Sequence, residues 1–154
     1  MRMAVWLAEG LGLGRIPWAP GTAGTLLALP IGLALGAVLP WWAYVAVIGV
    51  TLPVHAWICG AGAAARGVHD PSAVVWDEVV GMLVALTAAP AAWKVVLAAF
   101  IAFRAFDILK PFPVGWLDAR MAGGWGILLD DVVAGFYALA VVQLLFHFRP
   151  GWAG

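Results

Sequence analysis

IPWAPGTAGTLLALPIGLALGAVLPWWAYVAVIGVTLPVHAWICGAGAAA, residues 16–65, decides the architecture. It is bounded by Arg15 and Arg66 and holds no formally charged side chain, with His55 its one imidazole. A membrane crossing needs about 20 apolar residues, so the stretch accommodates two crossings and a tight turn. Pro40-Trp41-Trp42 is the natural turn, because proline stops a helix and tryptophan favours the headgroup level. Helices are expected near 24–39 and 41–65, forming a hairpin. Pro30 and Pro53 are expected to kink them, as membrane helices tolerate.

The composition agrees with that reading. Of 154 residues 65% are hydrophobic and 10% charged, against about 25% charged in an ordinary soluble domain. Mean hydropathy is +1.01. The length allows a single domain over 1–154. Eight Lys and Arg balance eight Asp and Glu, so there is no basic field for nucleic acid and no acidic tail. The lone Cys59 allows no disulfide and reads as a small buried hydrophobe. The apolar run at 3–8 is broken by Glu9 and no small-residue cleavage site follows, so the N-terminus is expected to be retained.

A second apolar stretch, 79–103, is interrupted at 90–94 and reads as another hairpin with its tip there. Asp70-Pro71 reads as a helix start, an N-cap followed by proline at the first helical position. That helix would carry Asp77 and Glu78 before entering the lipid. The last apolar run, 132–148, sits at the short limit for a span. The expected fold is therefore an all-α membrane bundle of about five spans. Arg2, Arg15, Arg66, Arg104, Lys110 and Arg120 then fall near one face, and Lys94 and Arg149 near the other, which marks the first as cytoplasmic. Glu9, Asp70, Asp77, Glu78, Asp107, Asp118, Asp130 and Asp131 all map to that same face. Trp41, Trp42, Trp93 and Trp152 read as the far interfacial belt, Trp18 and Trp116 as the near one.

Four stretches break the apolar monotony: WAPGTAGTL at 18–26, HDPSAVVWDEVVG at 69–81, FRAFDILKPFP at 103–113 and GWGILLDDVVAG at 124–135. Carboxylates close to hydrocarbon are expensive and pair or bind a cation. Asp77, Glu78, Asp107, Asp130 and Asp131 repel one another unless compensated, and a hard divalent cation with oxygen ligands resolves that. Arg104, Asp107 and Lys110 follow at i, i+3 and i+6, with Lys110 near the edge of the shared face and Pro111 and Pro113 ending the helix. Arg offers phosphate a bidentate fork and Lys a point charge. Thr22 and Thr25 open a helix whose amides and hydroxyls can hold an anion, and Gly21 and Gly24 let the backbone approach closely. These are the components of a phosphate-ester site. Structural roles compete at several positions: Asp70 as a cap, Asp130 and Asp131 as caps of the last helix, Arg104 with Asp107 as an ion pair. Asp118 and Arg120 read as a solvated face, and Gly81 and Gly135 as helix-packing positions.

In order and spacing, the four blocks resemble the phosphatidylglycerophosphatase A family. The shared patterns are W-x-P-G-T-x-G-(S/T)-L from Trp18, V-H-D…V-W-D-E-x-x-G from Val68, F-R-x-x-D-x-x-K-P-x-P from Phe103 and G-x-G-I-x-x-D-D-x-x-A-G from Gly124. The resemblance covers roughly Gly10 to Pro150. It implies a magnesium-dependent enzyme of the bacterial inner membrane that removes the terminal phosphate of phosphatidylglycerophosphate. Asp77, Glu78, Asp130 and Asp131 are then the expected Mg²⁺ ligands. Arg104, Asp107 and Lys110 complete the catalytic set, and Thr22, Thr25, His69, Arg104 and Lys110 contact the phospholipid substrate. Direct attack by water and an aspartyl-phosphate intermediate both remain open. The P-S-G-H block of histidine-nucleophile lipid phosphatases and the Cys-x5-Arg loop of cysteine phosphatases are missing. Two other classes compete: a small cation channel or transporter using the carboxylates as an ion site, and a non-catalytic membrane assembly partner.

Overall fold

The computed structural model describes residues 2–68, 70–148 and 151, and its regular structure is helical throughout. His69, Arg149 and Trp152 lie outside the described residues. The elements are α1 (Arg2–Ala8), a 3-10 segment (Gly10–Arg15), α2 (Pro20–Val38), α3 (Trp41–Arg66), α4 (Trp76–Ala85), α5 (Trp93–Leu109), α6 (Val114–Arg120) and α7 (Gly123–Phe148). Three of them, α2, α3 and α7, are long and apolar enough to cross a membrane. The all-α membrane bundle is as expected.

α4 is the centre of the molecule. Every residue from Val79 to Thr87 is buried, and the helix packs on α7 and α2 with α3 and α5 beside it. At about 15 Å it is too short to cross a bilayer. A helix that ends inside an apolar bundle must satisfy its last carbonyls there. Tyr44 Oη donates to the Leu83 carbonyl at 2.8 Å, and Gln143 Nε2 donates to the Thr87 carbonyl at 3.2 Å. Small residues set the spacing. A Cβ on Gly81 would meet Phe103 and the Asp131 carbonyl, and one on Gly135 would meet the Gly81 carbonyl. Gly81 and Gly135 thus serve the close packing expected of them.

The structure differs from the sequence reading in four places. The expected hairpin partners α2 and α3 share a turn at Pro40 but touch little, because α4 takes the inner face of α2. There Gly24 abuts Val75, and Gly32 abuts Leu83 and Leu86. Asp70-Pro71 does not start a helix. Val74 N–H closes a turn on the Pro71 carbonyl at 2.8 Å and Val75 N–H is claimed by the Ala8 carbonyl of α1 at 2.9 Å, so α4 begins at Trp76. The last helix starts at Gly123 rather than near 132. Its glycine-rich opening lets Gly124 lie against Ala56 and Gly60 of α3. Asp130 and Asp131 therefore sit inside α7 and cap nothing. Finally, 114–120 forms a short helix where only a surface segment was expected.

The chain direction places the start of α2, the end of α3, the start of α4, the end of α5 and the start of α7 at one end of the bundle. Trp41, Trp42 and Trp93 are exposed at the opposite end, and Trp18 and Trp116 at the first, as two interfacial belts require. Cys59 is fully buried in a small second core with Ala8, Ile58, Ala63, Val74 and Ile127.

Candidate active site

Two elements far apart in sequence converge on one group of carboxylates. The first turn of α4 carries Asp77 and Glu78, and the third turn of α7 carries Asp131. One ligand oxygen from each lies within 4.8 Å of the others. Asp77 and Asp131 are 7% and 3% exposed. Asp77 Oδ1 and Glu78 Oε2 are buried without a hydrogen-bond partner, an arrangement that costs free energy unless something else meets them. Burial pushes the Asp77 carboxyl well above the ordinary carboxylate range, and the neighbouring Glu78 and Asp131 charges push it further. Burial also moves Glu78 up to about 7, with Asp107 adding to the rise and Asp77 and Arg104 opposing it. A dication at this point would supply the missing partners and let all three carboxylates ionise, so the residues fit a hard, oxygen-liganded metal.

α5 brings the cationic component. Arg104 Nη1 donates to Asp107 Oδ2 and lies 4.0 Å from Glu78 Oε1. α2 closes the site from the other side. A Cβ on Gly21 would collide with Glu78 Oε1 and lie 3.2 Å from Arg104 Nη1, so its glycine permits the first turn of α2 to rest on the cluster. Gly24 serves the same approach one turn later, 2.6 Å from the Val75 carbonyl by the same measure.

Other expected members stand differently. Asp130 is not among the carboxylates that gather within 4.8 Å of one another. Asp130 turns instead to Lys110, whose Nζ donates to its Oδ2 at 3.0 Å. The same ammonium lies 2.8 Å from Asp118 Oδ1. Burial works against that charge, but Asp118 and Asp130 outweigh it and hold the Lys110 ammonium above its ordinary range. Lys110 sits at the left-handed end of α5 (φ 44°). It is thus a bridge between α6 and α7, and Asp118, read as solvated, is one of its anchors. Thr25 is fully buried and donates to the Gly21 carbonyl at 2.8 Å, its hydroxyl spent inside α2. Thr22 is half-buried beside Gly21 in the first turn. His69 is outside the described residues.

Sequence reasoning missed a half-buried chain of hydrogen bonds between α3 and the start of α4. Trp76 Nε1 donates to His55 Nδ1 at 2.9 Å, and His55 Nε2 meets Thr51 Oγ1 at 2.9 Å. Thr51 and His55 stand at i, i+4 on α3, a spacing visible in the sequence, but nothing there showed that Trp76 would reach them.

Residues 6–146 match the family model described as Phosphatidylglycerophosphatase A. The chain belongs to the phosphatidylglycerophosphatase A family. A phosphatidylglycerophosphatase A of Escherichia coli (strain K12) is 39% identical over 145 residues, covering 94% of this chain and 84% of the relative. One from Haemophilus influenzae is 42% identical over 137 residues, 88% of this chain and 84% of the relative. A Bacteroides thetaiotaomicron protein, provisionally named a phosphatidylinositol-3-phosphatase, is 39% identical over 149 residues and 92% of each chain. No solved structure matches. All four sequence blocks fall inside the matched region, and the carboxylate group with its arginine is drawn from three of them.

Proposed function

We propose that this chain is a magnesium-dependent phosphatase that hydrolyses the terminal phosphomonoester of phosphatidylglycerophosphate to phosphatidylglycerol and phosphate. The observation that carries the reading is the convergence of Asp77, Glu78 and Asp131 within 4.8 Å, beside Arg104, in a chain matched to the family over residues 6–146. Asp77, Glu78 and Asp131 would hold the metal, and Asp130 contributes through Lys110. When bound, magnesium supplies Lewis-acid polarisation of a phosphoryl oxygen and acidifies a coordinated water.

The chain's own residues do the rest. Arg104 neutralises charge developing on the equatorial phosphoryl oxygens, and Asp107 keeps its guanidinium aimed at them. Thr22 borders the phosphate, next to the Gly21 contact. Lys110 tethers α6 to α7 through Asp118 and Asp130 and so holds the Asp131 turn in register. His69 is retained as a substrate contact. The site faces the cytoplasm of a bacterial inner membrane, in keeping with the clustering of Arg15, Arg66, Arg104, Lys110 and Arg120 at its end of the bundle.

Phosphate release from phosphatidylglycerophosphate by detergent-purified protein tests this. Activity should require Mg²⁺ and vanish with chelator. Asp77→Asn and Asp131→Asn should each lower kcat roughly 100-fold or more while the protein stays folded. Retention of most turnover by both would remove the site assignment, and cation flux without phosphate release would favour a transporter. Phosphatidylinositol 3-phosphate belongs in the same assay, because one relative carries that name. Solvent ¹⁸O found in an enzyme carboxylate after a single turnover would select the aspartyl-phosphate route over direct attack.

A further inference from the structure

We infer that the gap between α2 and α5 is an acyl-chain site, which seats one fatty chain of the lipid whose phosphate lies at the carboxylate cluster. This rests on the proposed lipid-phosphatase reading and names how the substrate's apolar part is held. α2 and α5 run antiparallel and touch little along their length, leaving between them a cavity of about 450 Å³. Its walls are apolar: Leu26, Leu29 and Leu33 from α2 face Val96, Leu97 and Phe100 from α5, and Trp93 closes the far end. Leu26, Leu97 and Trp93 are 51%, 47% and 71% exposed, so the slot opens sideways to the surroundings.

The register ties this slot to the site. On α2 the stripe 22, 26, 29, 33 begins one turn above the slot with Thr22, beside Gly21. On α5 the stripe 104, 100, 97, 93 begins with Arg104, and a Cβ on Gly21 would lie 3.2 Å from Arg104 Nη1. The two facing stripes are therefore polar where they meet the carboxylates and apolar below. From Leu26 to Leu33 the slot descends about 10 Å, within the half-thickness of a hydrocarbon core of about 30 Å. A phosphate at the polar end with an apolar wall reaching down into one leaflet below it is the outline of a single phospholipid. A neighbouring protein helix has no use for the polar end.

Two measurements decide it. The intact chain, reconstituted in bilayers, is photolabelled with phosphatidylglycerophosphate bearing a mid-chain diazirine, and the labelled residues are mapped. Label should concentrate on Leu26, Leu29, Val96 and Leu97, in excess over Val50 and Val54, which are exposed on α3. Unlabelled phosphatidylglycerophosphate should remove it, and phosphatidylcholine should not. Even labelling of all exposed apolar residues, or equal competition by phosphatidylcholine, overturns the proposal. In the second measurement, Leu29→Trp should lower kcat/KM for dioleoyl substrate about ten-fold relative to dihexanoyl substrate; an unchanged ratio overturns it. If that variant does not fold, the labelling of the unsubstituted chain decides alone. Failure of the unsubstituted chain to release phosphate from any lipid would instead count against the functional reading, and the label map would still report on the slot.

Discussion

Gly21 occupies a position where a single added carbon would reach Glu78 Oε1 and approach Arg104. Both neighbours are ends of flexible side chains, so they can move aside with little cost to folding. Gly21→Ala should therefore lower phosphate release well below wild type while shifting the melting temperature by little; equal losses in both would mean the contact is structural. Residue types at such positions were readable: glycines before a helix, carboxylates near hydrocarbon, arginine three residues before aspartate. Their partners were not. Asp130 and Asp131 are identical in type and adjacent, yet one faces the candidate metal group and the other Lys110. The helical phase of α7 against α4 makes that division, and it depends on glycine contacts that periodicity does not encode.

At the level of elements, the close packing of α4 on α7 is the feature most open to attack. Gly81→Val would drive a branched side chain into Phe103 and the Asp131 backbone and should cost about 1–3 kcal/mol. Gly36, with open space around its Cα, should accept alanine and gain about 0.5 kcal/mol. Thermal melts of the two variants in one detergent check the contrast. A second device ties the N-terminal elements together. Glu9 is buried between Arg15 and Arg66, each at 2.6 Å. Burial raises its carboxyl, but hydrogen bonds and charge from Arg66 and Arg15 outweigh that and leave it below the ordinary 4.5. A carboxyl depressed by folding adds stability that is present above the unfolded value and lost as pH falls through the folded one. Glu9→Gln should thus destabilise by about 1 kcal/mol at pH 7, since both guanidiniums are open to solvent. Its melting temperature should fall less than wild type's on acidification below pH 4.5. A parallel acid loss in both proteins would exclude Glu9 as the source.

For the whole molecule, the proposed orientation rests on one end holding the carboxylates and most of the cations. Cysteine placed at Trp93 should react with an impermeant thiol reagent from the periplasmic side of intact cells, and cysteine at Arg120 only after permeabilisation; the reverse pattern would invert the topology. Membrane residence, helical class, the four chemical blocks and the family were all legible in the order of residues, because apolar length and charge spacing are local quantities. Which runs cross was less so. The run at 79–93 has the composition of a span, but α4 stops at Ala85 because Tyr44 and Gln143 reach in to satisfy its end. The separation of α2 from α3 by α4, the start of the last helix at Gly123, the pairing of Lys110 with Asp118 and the open slot between α2 and α5 likewise depend on helices meeting at close range. Hydropathy decides that a helix is in the bilayer; the shapes of small side chains decide which helix it touches, and those contacts exist only once the bundle has assembled.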